Sequence, residues 1–425
     1  MKYQRRLRRQ KFDTYMDRII LHSDLNNFFA SAECLLNPEL KESFVAVCGA
    51  SEDRHGIVLA KNQKAKLCGV ATGDTIFKAR QKCPELVCVQ PHFEEYRRFS
   101  KAVKKIYSEY TDEIESFGID ECWLDVTHST ALFGSGKTIA ETIRERVKRE
   151  TGLTVSVGVS FNKIFAKLCS DLKKPDAVTE VTRENFKEKL WCLPASSMLG
   201  VGRSTAAALE RRGITTIGQL AAIPPEFLQN WLGKSGAVLS AYARGLDFEP
   251  VKMYNYFEDP KSVGRGVTCR ADLVNESEVS QIILYLTREI SATLRRGGYL
   301  AGSIALCLRT PDLCDREHSE KLASPTRSFS ELHRSAVALF ERSCRSLPLR
   351  AVTVRVGNII RDSEPVRFDF FTDPLSSEKR ERLETAADSL CSRFGKNSVM
   401  PASLLGGNKL PHAFTETRFP KSHTL

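Results

Sequence analysis

The thirteen cysteines of this 425-residue chain contain no Cys-x-x-Cys pair. That absence argues against zinc and for buried structural thiols in a reducing cytosol, since zinc sites are commonly assembled from closely spaced cysteine pairs. No apolar run approaches the roughly 20 residues needed to cross a bilayer, which argues against a membrane partner. Residues 1–17 are basic but carry no apolar core of the signal-peptide kind, so they read as a basic extension of a cytoplasmic protein. Internal repeats and low-complexity tracts are also absent, so a solenoid or propeller is excluded.

Positive charge is plentiful. Lysine and arginine number 63 against 52 acids, a formal net charge of +11, which suits a polyanionic partner without identifying one. The length exceeds what one hydrophobic core usually holds, so roughly two to four domains are expected.

Two acidic stretches carry the most chemical information. Asp24 closes the apolar run Ile19-Ile20-Leu21-His22-Ser23, and Asp120-Glu121 opens the run Cys122-Trp123-Leu124-Asp125-Val126. Short apolar runs of this kind read as buried strands, where an unpaired carboxylate is costly, so a cation is expected beside them. Adjacent side chains in a strand point to opposite faces, and one ion collects both only if the backbone turns between them. Gly118 permits such a bend. With Asp24 on a neighbouring strand, the oxygen-only set suits Mg²⁺, and two such ions make an in-line phosphoryl-transfer site. The alternative for any single acid is a surface salt bridge.

A family resemblance follows from these residues. The stretch Asp24 to Glu33, the run Ile119-Asp120-Glu121-Cys122-Trp123-Leu124-Asp125-Val126-Thr127 and the run from Val155 to Pro175, in this order, resemble the Y-family translesion DNA polymerases of the bacterial DinB and UmuC type. The resemblance covers most of residues 18–405. It implies an α+β, multidomain right-hand polymerase: palm at 18–36 and 92–183, small fingers at 37–91, a helical thumb with a helix-hairpin-helix unit at 184–250, a linker at 251–260, an α/β little finger at 261–362, and a C-terminal tail at 363–425. Hydrophobic periodicity supports the parts. It predicts palm strands over 18–23 and 154–160, helices over 27–36, 93–110 and 137–150, fingers strands over 44–48, 57–60 and 86–89, and little-finger strands over 263–269, 303–309 and 351–356.

The resemblance also implies roles. Asp24, Asp120 and Glu121 become catalytic, and with the Leu25 carbonyl they become ligands of two Mg²⁺ ions. Phe29 becomes the steric gate whose ring leaves no room for a ribose 2′-hydroxyl, with Phe28 supporting the sugar or base. Both phenylalanines could equally be core residues of an amphipathic helix. For the triphosphate the family presents Thr, Tyr and Arg in a Thr-x-x-Tyr-x-x-Arg run, where this chain has Ala60, Gln63 and Lys66. Lys66 keeps the charge but not arginine's two-pronged donor, and Ala60 keeps no donor. Lys174 matches the family's other phosphate-binding lysine, and Lys61 or Lys64 could substitute for the lost arginine.

DNA contacts are expected at Gly200, Gly202 and Arg203, where two glycines let backbone amides approach a phosphate at a helix start. Arg265 and Arg327 in the little finger are further candidates. Phe368, Phe370 and Phe371, in Arg367-Phe368-Asp369-Phe370-Phe371, resemble the peptide that docks bacterial polymerases on the sliding clamp, with Arg367 in place of the usual glutamine. A strand or core segment would account for the three rings as well.

Phe133-Gly134-Ser135-Gly136-Lys137-Thr138 ends like a phosphate-binding P-loop. The pattern needs glycine where Ala131 stands, so Ser135 reads instead as a helix cap. The function expected is template-directed addition of deoxynucleotides to a primer 3′-hydroxyl by a monomer, with low fidelity and no proofreading, since no further acidic cluster suggests an exonuclease. The alternatives are a catalytically weakened or non-catalytic DNA-binding paralogue recruited to replication forks, which the altered triphosphate motif favours, and a nuclease using the same metal pair, for which the gate aromatics would have no purpose.

Overall fold

The structure, a computed structural model, describes residues 18–49, 56–254, 256, 258–343, 347–364, 374–405 and 409–411. They fall into two compact units, the first formed by residues up to 48 and from 57 to 256, the second dominated by residues from 257 onward. The break lies inside the expected linker. The linker's first residues belong to the first unit, where Val251 is buried and the Tyr254 amide donates to the Asp112 carbonyl at 2.9 Å.

The first unit is built on a five-stranded sheet in the order β5-β6-β1-β7-β8, from β1 (Ile20–Leu25), β5 (Ile114–Ser116), β6 (Glu121–Asp125), β7 (Val155–Ser160) and β8 (Val178–Glu180). Only the β7–β8 pair is parallel. Strands β1 and β7 are buried at every position, including His22, Ser23 and Asp24 of β1 and Ser156 and Ser160 of β7. Helix α1 (Phe28–Leu36) follows β1. The sheet also carries α4 (Phe93–Tyr107), α5 (Gly136–Thr151) and α6 (Lys163–Leu172). A Cβ on Gly158 of β7 would lie 1.9 Å from the Ala166 carbonyl oxygen, so glycine alone lets α6 lie directly on the strand. Ser135 caps α5, accepting from the Thr138 amide at 3.2 Å, which is the role its sequence predicts.

Residues 45–89 form a separate three-stranded sheet, β3-β2-β4, from β2 (Val45–Cys48), β3 (Val58–Lys61) and β4 (Val87–Val89), with α2 (Gln63–Leu67) and α3 (Ile76–Lys82). Its core is small: Ala46, Val58, Ala65, Ala79 and Leu86. Helix α1 packs against β2 and β3, which sets this layer beside the first residues of the palm. After the palm come four short helices, α7 (Arg203–Glu210), α8 (Ile217–Ala222), α9 (Pro225–Leu232) and α10 (Lys234–Ala243). They bury Leu209, Ile217, Leu220, Leu228 and Leu239 in a cluster shared with Phe161 and Phe165 of the palm.

The second unit is an antiparallel sheet in the order β11-β10-β12-β9, from β9 (Ser262–Leu273), β10 (Tyr299–Arg309), β11 (Asp315–Thr326) and β12 (Leu349–Arg361). Helices α11 (Glu276–Gly297) and α12 (Phe329–Ser343) pack on it. Strand β11 goes unpredicted from sequence because it is a polar edge strand whose exposed side outnumbers its buried one.

The expected tail at 363–425 is corrected. Residues 374–394 form helix α13 (Pro374–Phe394), and Leu404 and Leu410 join the core of this unit. The helix is fixed by charge more than by apolar burial: Glu384, 3 % exposed, pairs with Arg295 of α11 and accepts from Ser328 Oγ at 2.8 Å and the Phe329 amide at 3.3 Å.

Candidate active site

Register brings the two acidic motifs together. In the antiparallel β1–β6 pair Asp24 stands directly opposite Glu121. Asp120 lies outside the strand, in the turn joining β5 to β6, where Gly118 adopts φ +97° and the Phe117 amide donates to the Glu121 carbonyl at 2.9 Å. The Asp120 carbonyl in turn accepts from the Leu25 amide at 3.1 Å. The backbone bend needed to gather adjacent acids is therefore present, and it comes from a left-handed glycine conformation.

The carboxylates do not stand alone. Lys174 Nζ lies 2.6 Å from Asp24 Oδ2 and 2.7 Å from Asp171 Oδ1. Glu121 pairs with Lys167 of α6 and lies 3.2 Å from His22 Nε2, while His22 Nδ1 meets Ser170 Oγ at 2.8 Å. Burial pushes the Asp24 carboxyl up to about 6, with Glu121 and Asp171 adding to the rise and Lys174 opposing it. Asp120 is likewise raised, by burial and by Glu121. Burial acts upward on Glu121 too, but the His22 and Lys167 contacts outweigh it and hold that carboxyl below its ordinary value. His22 is lowered by burial and by Lys167.

The oxygen-only donor set of Asp24, Asp120 and Glu121, three acids that share the ammonium groups of Lys167 and Lys174, fits a hard divalent cation. Among the described residues, however, no three His, Cys, Asp or Glu side chains converge as a metal centre. In this structure Lys174 and Lys167 hold the Asp24 and Glu121 carboxylates.

Phe29, the expected gate, is the second residue of α1. Phe29 is half-buried, its ring stacked on Tyr96 with centroids 4.3 Å apart and planes 11° apart, and Phe93 meets it edge-on at 5.9 Å. Phe28 is buried in the palm core at 3 % exposure, so it backs Phe29 and offers little ring to a sugar or base, which corrects its expected role. Tyr96 is fully buried and its hydroxyl donates to Glu33, itself buried and contacted by the His92 amide at 3.3 Å and His92 Nδ1 at 3.0 Å. Sequence reasoning assigned no role to His22, Glu33, Tyr96 or Lys167. The available signal was a His and a Glu embedded in apolar stretches, which need partners when buried.

Of the triphosphate candidates, Gln63 and Lys66 are exposed on α2. Lys64 is taken by Glu42 at 2.7 Å, and Lys61 donates to Thr72 Oγ1 at 2.9 Å. In the thumb Gly200 adopts φ +92° and Gly202 caps α7, which opens with the exposed Arg203. Arg265 is exposed, with NH1 on the Gly264 carbonyl at 3.1 Å. Arg327 pairs with Asp362 at 2.7 Å and also with Glu381 of α13, so the free phosphate contact expected of it is corrected: two acids from this unit already occupy its guanidinium. Phe368, Phe370 and Phe371 lie outside the described residues.

Known proteins resemble this chain over most of its length. Residues 23–171 match the impB/mucB/samB family, residues 260–370 its C-terminal domain, and residues 196–247 the thumb domain of DNA polymerase-iota. A DNA polymerase IV from Acetivibrio thermocellus is 46 % identical over 391 residues, covering 92 % of this chain and 98 % of that protein. The chain belongs to the impB/mucB/samB family of Y-family DNA polymerases. A second DNA polymerase IV, from Pelotomaculum thermopropionicum, is 34 % identical over 90 % of this chain and 94 % of its own length. A solved Y-family DNA polymerase chimera superposes with a TM-score of 0.72 at 26 % identity, covering 81 % of this chain and 99 % of that one. The architecture is thus that of a polymerase right hand with palm, fingers, thumb and little finger. The α+β right-hand architecture expected from sequence is borne out.

Proposed function

We propose that this Y-family polymerase extends a primer 3′-hydroxyl past damaged template positions by two-metal phosphoryl transfer, with low fidelity and no proofreading. The observation that carries the reading is the register of Asp24 against Glu121, with Asp120 delivered by the Gly118 turn at the same end of the palm sheet. Asp24, the Leu25 carbonyl, Asp120 and Glu121 would hold two Mg²⁺ ions. When bound, these ions neutralise triphosphate charge and activate the primer hydroxyl.

The chain's own residues do the remaining work. Phe29, held in place by Tyr96, closes the space beside the sugar 2′ position. Lys174, Lys66 and Gln63 supply donors for triphosphate oxygens. His22 and Lys167 hold Glu121 ionised and oriented. Gly200, Gly202 and Arg203 offer backbone amides and a cation to a DNA phosphate, independent of base sequence, and the exposed Arg265 offers another cation. The Arg367–Phe371 run is assigned to a sliding clamp on its sequence alone.

Primer extension with Mg²⁺ and deoxynucleotides is the test. The wild-type protein extends the primer, and Glu121→Ala or Asp120→Ala loses at least about a hundredfold in rate while keeping its fold, because both side chains are part-exposed and neither belongs to the apolar core. Extension by Glu121→Ala at the wild-type rate sinks the two-metal reading. A wild-type protein that binds primed DNA but does not extend it favours the non-catalytic paralogue, the reading supported by Ala60, Gln63 and Lys66.

A further inference from the structure

Lys174 faces two claims on one ammonium. It is expected on the incoming triphosphate, yet its Nζ sits 2.6 Å from Asp24 Oδ2, on a carboxylate that would hold a metal. We propose that Lys174 is an exchangeable counter-ion, resting on Asp24 and moving to the triphosphate when a nucleotide enters, so that nucleotide binding opens Asp24 to a divalent cation. The proposal rests on the polymerase reading above.

The surroundings suit an exchange. The backbone around Lys174 is fixed: the Asp176 amide donates to Asn26 Oδ1 at 2.8 Å, and Arg144 and Lys148 each hold an Asp176 oxygen at 2.8 Å. The lysine stem is flexible, with four rotatable bonds and a compact charge that any anion can satisfy. Its second partner, Asp171, is half exposed and 2.7 Å away, a position from which the ammonium can reach solvent-borne anions without first losing all its pairing. Glu121 differs. Its carboxylate pairs with Lys167 of α6 and lies 3.2 Å from Nε2 of His22, whose ring is fixed by Ser170, so it is enclosed from behind. Among the described residues Asp24 pairs with Lys174, whose ammonium sits at the end of a flexible stem.

Charge decides the direction. Asp24, Asp120, Glu121 and Asp171 share the two ammonium groups of Lys167 and Lys174. With Lys174 on Asp24, an approaching divalent cation meets a repelling charge and an acceptor already taken. A triphosphate carries more negative charge than one carboxylate and draws the ammonium away. Metal and nucleotide therefore help each other bind, and by linkage the help is equal in both directions.

The consequence has an unusual sign: deleting a positive charge that serves the nucleotide strengthens binding of the metal. The full chain, without DNA and at about pH 8 so that the carboxyls are ionised, is titrated with Mn²⁺ alone, free Mn²⁺ being followed by electron paramagnetic resonance. Lys174→Ala and the isosteric Lys174→Gln bind Mn²⁺ about threefold more tightly than wild type, the scale of a partly exposed ion pair. Their affinity for a non-hydrolysable deoxynucleoside triphosphate at saturating Mn²⁺ falls about tenfold, the scale of a charge-assisted hydrogen bond. Lys173→Ala, which removes an exposed neighbouring charge, leaves both unchanged, and Lys174→Arg keeps the mutual enhancement. Mn²⁺ affinity that is equal or weaker in both Lys174 variants overturns the exchange, as does tighter Mn²⁺ binding with unaltered nucleotide affinity. Primer extension by the wild type is scored alongside: its absence strikes the polymerase reading, whereas the Mn²⁺ comparison strikes only the exchange.

Discussion

At the scale of single residues, the site is defined by which charges and rings are allowed to move. Phe29 is not a free side chain: it is one layer of a stack whose next layer, Tyr96, is tied to the buried Glu33. If Phe29 is the gate proposed above, a ring so supported discriminates by hard contact, because it cannot yield without disturbing a buried hydrogen bond. Phe29→Ala therefore lowers discrimination against ribonucleotides by about 10²-fold, with deoxynucleotide incorporation largely kept, as the ratio of kcat/KM for paired deoxy and ribo substrates would report. Unchanged discrimination would place the gate elsewhere. Tyr96→Phe, which keeps the stack but drops the hydroxyl from Glu33, gives a smaller loss of discrimination in the same assay.

At the scale of elements, helix α13 shows how a segment read as a tail becomes structural. It leaves Leu383, Leu390 and Phe394 exposed, and its hold on the domain lies in Glu384, which pairs with Arg295 and serves the first turn of α12 through Ser328 and Phe329. Removing one partner of a buried pair strands the other. Glu384→Ala should destabilise the protein by about 3 kcal/mol, read as a shift in the chemical denaturation midpoint, while Glu384→Gln costs less because its amide oxygen still accepts from Ser328. Equal stability of Glu384→Ala and wild type would return α13 to the status of an appendage. Palm strands β1 and β7 were legible within two residues, because a buried apolar run bounded by polar residues has few other homes. Strand β11 and helix α13 were not, because polar edges and ion-paired helices leave no apolar period to read.

At the scale of the whole molecule, the net charge of +11 makes association with DNA a salt-dependent event. If the thumb hairpin meets a phosphate, Arg203→Ala weakens primer-template binding by the same factor whatever the sequence, and lowers the slope of log affinity against log salt by about one. A change confined to particular sequences would mean that Arg203 reads bases. Arg327 gives no such effect on its own, because its guanidinium already answers two acids.

By itself the sequence determined the family and the α+β right-hand fold class, and it singled out the acids to be tested, because each rests on residues adjacent in the chain: an apolar run with an acid at its end, a glycine two before a pair, two glycines ahead of a helix. Only the tertiary structure decided who faces whom. That Lys174 rests on Asp24, that His22 and Lys167 hold Glu121, that Tyr96 stiffens Phe29 and that Phe28 belongs to the core all join positions many residues apart. Such pairings depend on strand register and on helix packing over Gly158, and a sequence pattern records the need for a partner without recording its address.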